Sequence, residues 1–230
     1  MQSFGYILNH RPFRDNSLLV DIFTEDFGRI CCVARPAKKR GKILKGSLEP
    51  FRYLHLQWIG KGDVQTLTEA DERGRHTIPP SEMMMGLYLN ELLLLLTQPH
   101  AALPELFSAY KYTLHKLNDP EINKQIMMQF ELYLLASLGL PLILPTSTQT
   151  DEAISAKMRY RFSLDDGLML AGELQNNQSR SINIDGDLLL ALQDMQSLSD
   201  EHWTQLRTFL DAIFLLLSPR TINSRKLLHL

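Results

Sequence analysis

Ser17-Leu-Leu-Val-Asp-Ile-Phe-Thr24, Glu25-Asp-Phe-Gly28 and Arg29-Ile-Cys-Cys-Val-Ala34 read together as one hairpin. Leu18, Val20 and Ile22 recur at every second residue, the period of a strand with one apolar face. Glu25 to Gly28 has the composition of a turn, and Gly28, without a Cβ, can take positive φ there. Arg29 to Ala34 then returns as the paired strand. Toward the N-terminus, Ser3 to Asn9 is a further short β-prone run. Toward the C-terminus the apolar pattern is lost between Arg35 and Gly46 and resumes at Phe51 to Ile59. In that fourth strand Leu54, Leu56 and Trp58 alternate with Tyr53, His55 and Gln57. Gly60-Lys61-Gly62-Asp63 makes a tight turn into Val64 to Ala70, a fifth strand.

Five short strands with glycine turns in about 70 residues fit a small closed or nearly closed barrel. An oligonucleotide-binding (OB) barrel is the leading reading and an SH3-like barrel the alternative; periodicity alone does not separate them. After Pro79-Pro80 the grammar becomes helical. The helix opened by Ser81 and Glu82 carries Met84, Leu87, Tyr88, Leu92 and Leu95 on one face and Leu89, Leu93 and Leu96 on another, so it should be buried. Leu103 to Leu117 and Glu121 to Leu138 are further helices, bounded by prolines and by Gly139. Residues 142–156 are loop-like. Lys157 to Ser163 and Leu168 to Gly172 flank Asp165-Asp166-Gly167, a hairpin signal. Asp185 to Met195 and Ser199 to Leu217 supply two more helices, with Ser199 as N-cap. The expected class is α+β: a barrel domain over residues 1–78 and a mainly helical domain over 79–230, with a small hairpin region near 157–172.

Composition excludes several classes. Of 230 residues, 44% are hydrophobic and 22% charged, which is enough to bury a core and too apolar for a disordered chain. The apolar run Leu92 to Leu96 falls well short of the ~20 residues that span a bilayer. Met1 to His10 has no basic segment followed by an apolar one, so a cytoplasmic protein is expected. Cys31 and Cys32 are adjacent and would point to opposite faces of a strand, so neither an ordinary disulfide nor a chelate is expected of them. The seven histidines are scattered without metal-ligand spacing, and no GxxxxGK[ST], GxGxxG, GxSxG or HExxH occurs. Enzymatic activity is not expected.

Charge carries more information by position than in total. The formal net charge of −2 hides 11 Lys+Arg against 5 Asp+Glu in residues 1–62, leaving 13 and 21 for the remainder. Arg35, Lys38, Lys39, Arg40, Lys42 and Lys45 place six cations in eleven positions, with no acid between Asp26 and Glu49. Such a cluster cannot neutralise itself, and on a polyanion it would release counterions with a strong salt dependence. Phe51, Tyr53 and His55 share one face of the following strand, and aromatic faces beside a basic groove hold single strands by stacking. In the helical part, Lys111, Lys116 and Lys124 accompany Phe107, Met127, Met128 and Phe130, a combination suited to a short peptide carrying apolar and acidic residues. Solvated lysines around an ordinary core account for the same residues.

Several ordered motifs add a family resemblance. Arg11-Pro12-Phe13, Ser17 to Thr24 and Gly28-Arg29, followed by Leu44-Lys-Gly-Ser-Leu-Glu-Pro-Phe51 and Gly60-Lys-Gly-Asp63, resemble the N-terminal signature of the bacterial RecO family. Gly86-Leu-Tyr-Leu-Asn-Glu-Leu-Leu93 and Phe130-Glu131-Leu132 with Leu138-Gly139 are similar to that family's central helices, and Asn223-Ser224-Arg225 to a short stretch near its end.

The resemblance implies a recombination mediator built from an OB-fold and a helical domain. Such proteins bind single- and double-stranded DNA, anneal complementary strands, and work with RecR and RecF to load RecA on strands coated by single-stranded DNA-binding protein (SSB). They contact the acidic C-terminal tail of SSB through the helical domain. Carried onto this chain, DNA contact is expected at Arg14, Arg35, Lys38, Lys39, Arg40, Lys42, Lys45 and Tyr53, and the SSB tail at Lys124, Phe130 and Lys116. Some relatives carry a four-cysteine zinc site beyond the third helix; residues 140–230 here hold no cysteine, so no metal or other cofactor is expected. Some also have an arginine pair where this chain has Met128-Gln129, which leaves Lys124 as the substitute cation. A cytoplasmic, nucleoid-associated location follows. The alternatives are an adaptor that recruits SSB with only incidental DNA contact, and an RNA-binding OB protein.

Overall fold

Alternating strands bury one face when a sheet closes on itself, and the N-terminal strands do so. The computed structural model describes residues 1–14, 16–35, 48–119, 123–142, 153–171, 181–193, 198–218 and 220–228. Gln2–Phe13 (β1), Ser17–Thr24 (β2), Gly28–Ala34 (β3), Arg52–Ile59 (β4) and Val64–Arg75 (β5) form a closed barrel in the order β1-β2-β3-β5-β4. The parallel pairing of Cys31–Ala34 with Val64–Leu67 joins β3 to β5, and Gln2–Gly5 against Leu54–Gln57 closes β1 on β4. This is the Greek-key order of an OB-fold, which decides between the two barrels.

Ile7, Val20, Ile22, Ile30, Cys32, Leu54, Leu56, Trp58 and Leu67 fill the interior. Phe27, from the β2–β3 turn, meets Trp58 edge-on with ring centroids 5.3 Å apart. The two cysteines diverge as adjacent strand residues must: Cys32 is inside, Cys31 half-buried beside Asp21, and both are free. Burial pushes their thiols up, to about 12 and about 11.

β2 departs from the expected single apolar face, because Leu19 and Phe23 are buried as well as Val20 and Ile22. The reason is a helical cover. Met83–Leu96 (α1) and Pro104–Lys116 (α2) belong to the same compact unit as the barrel, Met1–Ile126 with Ile222–His229. Phe107 and Tyr110 on α2 lie 5.7 and 5.3 Å from Tyr6 and 5.4 and 6.0 Å from Phe23, ring to ring. Inside this contact Asn90 donates to the carbonyl of Leu8 (3.0 Å) and accepts from the Tyr110 hydroxyl (2.6 Å), so the buried amide ties β1, α1 and α2 together. Gly28 takes φ +64°, and a Cβ there would fall 1.8 Å from the Ala101 carbonyl oxygen. The turn therefore needs glycine twice over, for its backbone conformation and for the approach of the chain between α1 and α2.

Two expectations are corrected in this unit. Phe51 precedes β4 at φ 65° and is buried, with its ring against the Gly86 position, so it does not share the outer face of Tyr53 and His55. β1 runs to Phe13 and β5 to Arg75, beyond the ends expected from apolar alternation. At the C-terminal side, Glu91 of α1 accepts from the backbone N–H groups of Asn223 and Ser224 (2.8 Å each) and from the Ser224 hydroxyl. Arg225 donates to the Tyr88 hydroxyl at 2.7 Å.

The second compact unit, Met127–Thr221 with Leu230, holds most of Asn123–Ser137 (α3) and a sheet of Arg159–Ser163 (β6), Gly167–Leu170 (β7) and Ser181–Asp185 (β8), followed by Gly186–Ala191 (α4) and Asp200–Leu217 (α5). The expected hairpin is present, but β8 pairs with β6 and makes it a three-stranded sheet in the order β7-β6-β8. Ser199 caps α5, its hydroxyl accepting from the His202 N–H at 3.2 Å while the His202 ring reaches back to the Ser199 N–H. Phe162 packs edge-on against Phe209 of α5 at 6.0 Å. No helix among the described residues is long and apolar enough to cross a membrane.

Candidate nucleic-acid interface

Strand direction and register group the barrel's arginines at the strand ends. β1, β3 and β5 run one way and β2 and β4 the other. One rim of the barrel is therefore made by the C-terminal ends of β1, β3 and β5 and the N-terminal ends of β2 and β4. Arg11, Arg14 and Arg35 gather at the ends of β1, β2 and β3, since Arg11 pairs with Leu19 and Leu19 with Val33. Arg52, Arg73 and Arg75 gather at the β4–β5 end, where Arg52 pairs with Arg75, while Ala34 registers with Leu67, eight residues before Arg75 on β5. The opposite rim carries the turns Glu25–Gly28 and Gly60–Asp63, with Glu25, Asp26 and Asp63 and the cations Arg29 and Lys61.

The strand-end arginines differ in how far their charge is spent inside the protein. Arg11 reaches Asp21 at 3.1 Å, and Glu72 accepts from Arg52 at 2.6 Å and from Arg75 at 2.7 Å. For Glu72, desolvation acts upward, but the hydrogen bonds from both arginines outweigh it and hold the carboxyl below its usual range. Arg14, in the β1–β2 turn at φ 37°, and Arg35, at the end of β3, are exposed. Among the described residues no carboxylate pairs with either. Lys38, Lys39, Arg40, Lys42 and Lys45 lie outside the described residues; the chain leaves the rim at Arg35 and re-enters the barrel core at Leu48.

Tyr53 is on the outer face of β4, as its alternation with Leu54 requires, but its ring is already engaged. Phe4 of β1 stacks on it with centroids 5.1 Å apart and planes 11° apart, and Lys111 Nζ of α2 lies 4.1 Å from its centroid. His55 meets Phe4 edge-on at 5.2 Å. Burial raises the Tyr53 pKa, helped by Glu25 and Asp26. Beside this cluster the Tyr6 hydroxyl and His76 Nε2 share a hydrogen bond of 2.9 Å, and the His76 ring is 6.5 Å from that of His115 on α2. Burial, then the neighbouring His115 and Lys111, pulls His76 down to about 4.

Residue spacing did not disclose the Phe4–Tyr53 pair, nor the grouping of Arg52, Arg73 and Arg75 at the β4–β5 end. The Phe4–Tyr53 pair arises from β1 closing on β4, a contact between positions 49 apart in the chain. Arg73 and Arg75 follow the last apolar residue of β5, where strand signals fade. A signal was available in the excess of arginine at the ends of the runs.

The candidate peptide contacts are placed apart in character. Lys124 is exposed and Lys116 half-buried, its Nζ 5.7 Å from the Tyr112 ring. Both fall in the barrel-containing unit. Phe130 falls in the second unit and is 1% exposed. The neighbouring Glu131 is fully buried there and is held by Arg207 of α5.

Two family models match the chain: recombination protein O, N terminal, over residues 1–73, and recombination protein O, C terminal, over residues 80–226. The chain belongs to the RecO family. Curated relatives agree. The chain is 38% identical over 176 residues to the DNA repair protein RecO of Glaesserella parasuis serovar 5, covering 75% of this chain and 73% of the relative. It is 36% identical over 199 residues to that of Nitrosococcus oceani, with 85% and 81% covered. With that of Methylococcus capsulatus it shares 32% identity over 229 residues, 97% of this chain and 90% of the relative. The barrel arginines described above, except Arg75, lie within the part matched by the N-terminal family model, and the motifs at Gly86–Leu93 and Asn223–Arg225 within the C-terminal one. The Glu91 and Arg225 contacts give those two motifs a shared structural role: they dock the Asn223–Arg225 segment on α1.

Proposed function

We propose that this DNA repair protein binds single- and double-stranded DNA at the arginine-bearing rim of its barrel, using Arg14 and Arg35 with Lys38, Lys39, Arg40, Lys42, Lys45 and the Tyr53 cluster. The convergence of strand ends carries the reading. A basic segment joins β3 to β4 directly after Arg35, and Arg35 and Arg14 are exposed with no carboxylate paired to either among the described residues. Phosphates neutralised along this rim lower the repulsion between two strands, so that complementary bases supply the discrimination and the protein supplies charge and proximity. On this reading the chain is a mediator rather than a catalyst of bond chemistry. It anneals strands and, with RecR and RecF, helps RecA onto SSB-coated DNA in the cytoplasm at the nucleoid. Replacing Lys38, Lys39 and Arg40 together by Ala tests it. Affinity for DNA should fall sharply, and on a single strand the salt slope should flatten by about 0.7 for each phosphate that is no longer neutralised. Unchanged affinity and slope would overturn the role of the segment.

For the SSB tail, Lys124 and Lys116 are the cations an acidic peptide would meet at the surface of the barrel-containing unit. Phe130 supports the fold of its own unit from inside, so its truncation would open a core cavity. The cleaner test is therefore isothermal titration of the tail peptide against Lys124→Gln. Weaker binding supports the contact, and no change moves the tail elsewhere.

A further inference from the structure

The ring of Phe4 is more than a third exposed although it rests on Tyr53, and Lys111, whose Nζ lies 4.1 Å from the centroid of the same Tyr53 ring, is exposed on α2. An exposed aromatic ring held flat by a second ring is preorganised to receive a planar group, because it loses little side-chain freedom on binding. The Lys111 ammonium on the Tyr53 ring adds an anion site to the same cluster. The two together offer sites for what a single strand presents along its length, bases and phosphates. In a duplex each base is already stacked on both faces and shows only its edges in the grooves, so a free base face can be offered only by an unpaired strand.

We propose that Phe4, carried on Tyr53, together with Lys111 forms a single-strand-specific step: Phe4 stacks an unpaired base and Lys111 holds a phosphate of the same strand. The step rests on the reading of this unit as a DNA-binding one, and it divides the work within that reading. The arginine rim meets phosphates of either form; the Phe4 step meets only the unpaired one. Tyr53 becomes a positioning residue rather than a stacking surface, since Phe4 and Lys111 already occupy its ring. Glu25 donates its N–H to the Phe4 carbonyl at 3.0 Å, Asp26 is held by the Ser3 hydroxyl at 2.7 Å, and after burial both acids raise the Tyr53 pKa. Lys111, with exposed His115 one turn further along α2, is therefore the cation of this cluster that a backbone phosphate would meet.

Fluorescence anisotropy on a dT oligonucleotide and on a blunt duplex, at one salt concentration and then across a salt series, tests the step. Phe4→Ala should weaken dT binding about five-fold or more, since stacking is worth ~1–3 kcal/mol per base, and leave the duplex within about two-fold. Lys111→Gln should reduce the salt slope on dT by about 0.7 and leave the duplex slope unchanged. Lys111 is on the exposed side of α2, so its result decides the matter if Phe4→Ala fails to fold. Unchanged dT binding, or equal weakening on both oligonucleotides, overturns the step while leaving the rim in place. If the unaltered protein binds neither oligonucleotide, the DNA reading itself falls and the step with it.

Discussion

Arg207 grips Glu131 with two parallel hydrogen bonds of 2.7 and 3.2 Å, joining α5 to α3 across the core of the second unit. Glu131 is fully buried, and the guanidinium also reaches Asp211 at 2.6 Å. The fork geometry satisfies both carboxylate oxygens at once, which a single ammonium cannot do. Desolvating the pair offsets much of its attraction, so its presence says little about net stability; its disruption says more. Removing the arginine deprives a buried carboxylate of its bidentate partner. Arg207→Leu should therefore destabilise the unit by about 3 kcal/mol or more, read as a lower urea midpoint at unchanged slope. Arg207→Lys should recover only part of the deficit. A change under ~1 kcal/mol for Arg207→Leu would show that Glu131 is carried by its other neighbours.

Gly28 offers a backbone test. Its φ of +64° and the 1.8 Å separation between a Cβ there and the Ala101 carbonyl oxygen act on the same substitution. The left-handed conformation costs about 1 kcal/mol for a residue with a Cβ, and the clash forces the approach of residues 99–101 to the barrel to open. Gly28→Ala should lose ~2 kcal/mol or more in equilibrium unfolding. By contrast Gly62, at φ 93° with open space around it, should lose only the conformational part, about 1 kcal/mol. Equal destabilisation at the two positions would assign the whole effect to φ.

Much of the architecture was legible because its determinants are local. Alternation along Leu54, Leu56 and Trp58, the glycine turns and the proline boundaries are all short-range signals, and the structure places all five strands, the helices and the Ser199 cap where those signals stand. What escaped was non-local or was masked by polarity. β8 is Ser-Ile-Asn-Ile-Asp after a polar stretch, and only its Asp185, which opens the next helix, falls in an expected element; Ser181 to Ile184 carry too little apolar pattern to be read as a strand. Phe51 looked like the first member of a strand face, yet a positive φ and the bare Gly86 position turn it into the core. Tyr53 was legible as an outward aromatic; that Phe4 covers it and Lys111 caps it depends on barrel closure and on where α2 lies. The grouping of the arginines at the strand ends becomes visible only once the strand directions and registers are known.

Glu91 and the Asn223–Ser224 backbone provide a local-stability test. Desolvation acts to raise the Glu91 carboxyl, but the Ser224 hydroxyl and the Ser224 and Asn223 N–H groups together hold it below its usual range. Each hydrogen bond to a charged acceptor is worth about 1.5–3 kcal/mol. Glu91→Ala should free the 222–228 segment without unfolding the barrel. Hydrogen exchange of the Asn223 and Ser224 amides should quicken by at least about ten-fold, while the Leu8 and Ile22 amides stay protected. Simultaneous loss of protection in β1 would mean that the segment is integral to the barrel rather than docked on it.

His76 sets the acid response of the barrel-containing unit. Its pKa is drawn down from 6.5 to about 4, first by burial and then by His115 and Lys111, while its Nε2 stays bonded to the Tyr6 hydroxyl. Unfolding releases the ring to its ordinary value, so between pH 6.5 and 4 the unfolded chain binds the extra proton. Stability should therefore fall as pH drops through that window and be flat above it. Glu72 and Glu91, whose pKa values are lowered from 4.5, add to the decline only toward its acid end. Urea midpoints from about pH 7.5 to 5 isolate the histidine, because both carboxylates stay ionised in the folded and unfolded states across most of that range. His76→Gln, which keeps a group able to bond Tyr6 but cannot titrate, should flatten the profile between about pH 6.5 and 5 while leaving the acid limb below about 4.5 in place. A mutant profile that still declines from about pH 6.5 would transfer the response to another group.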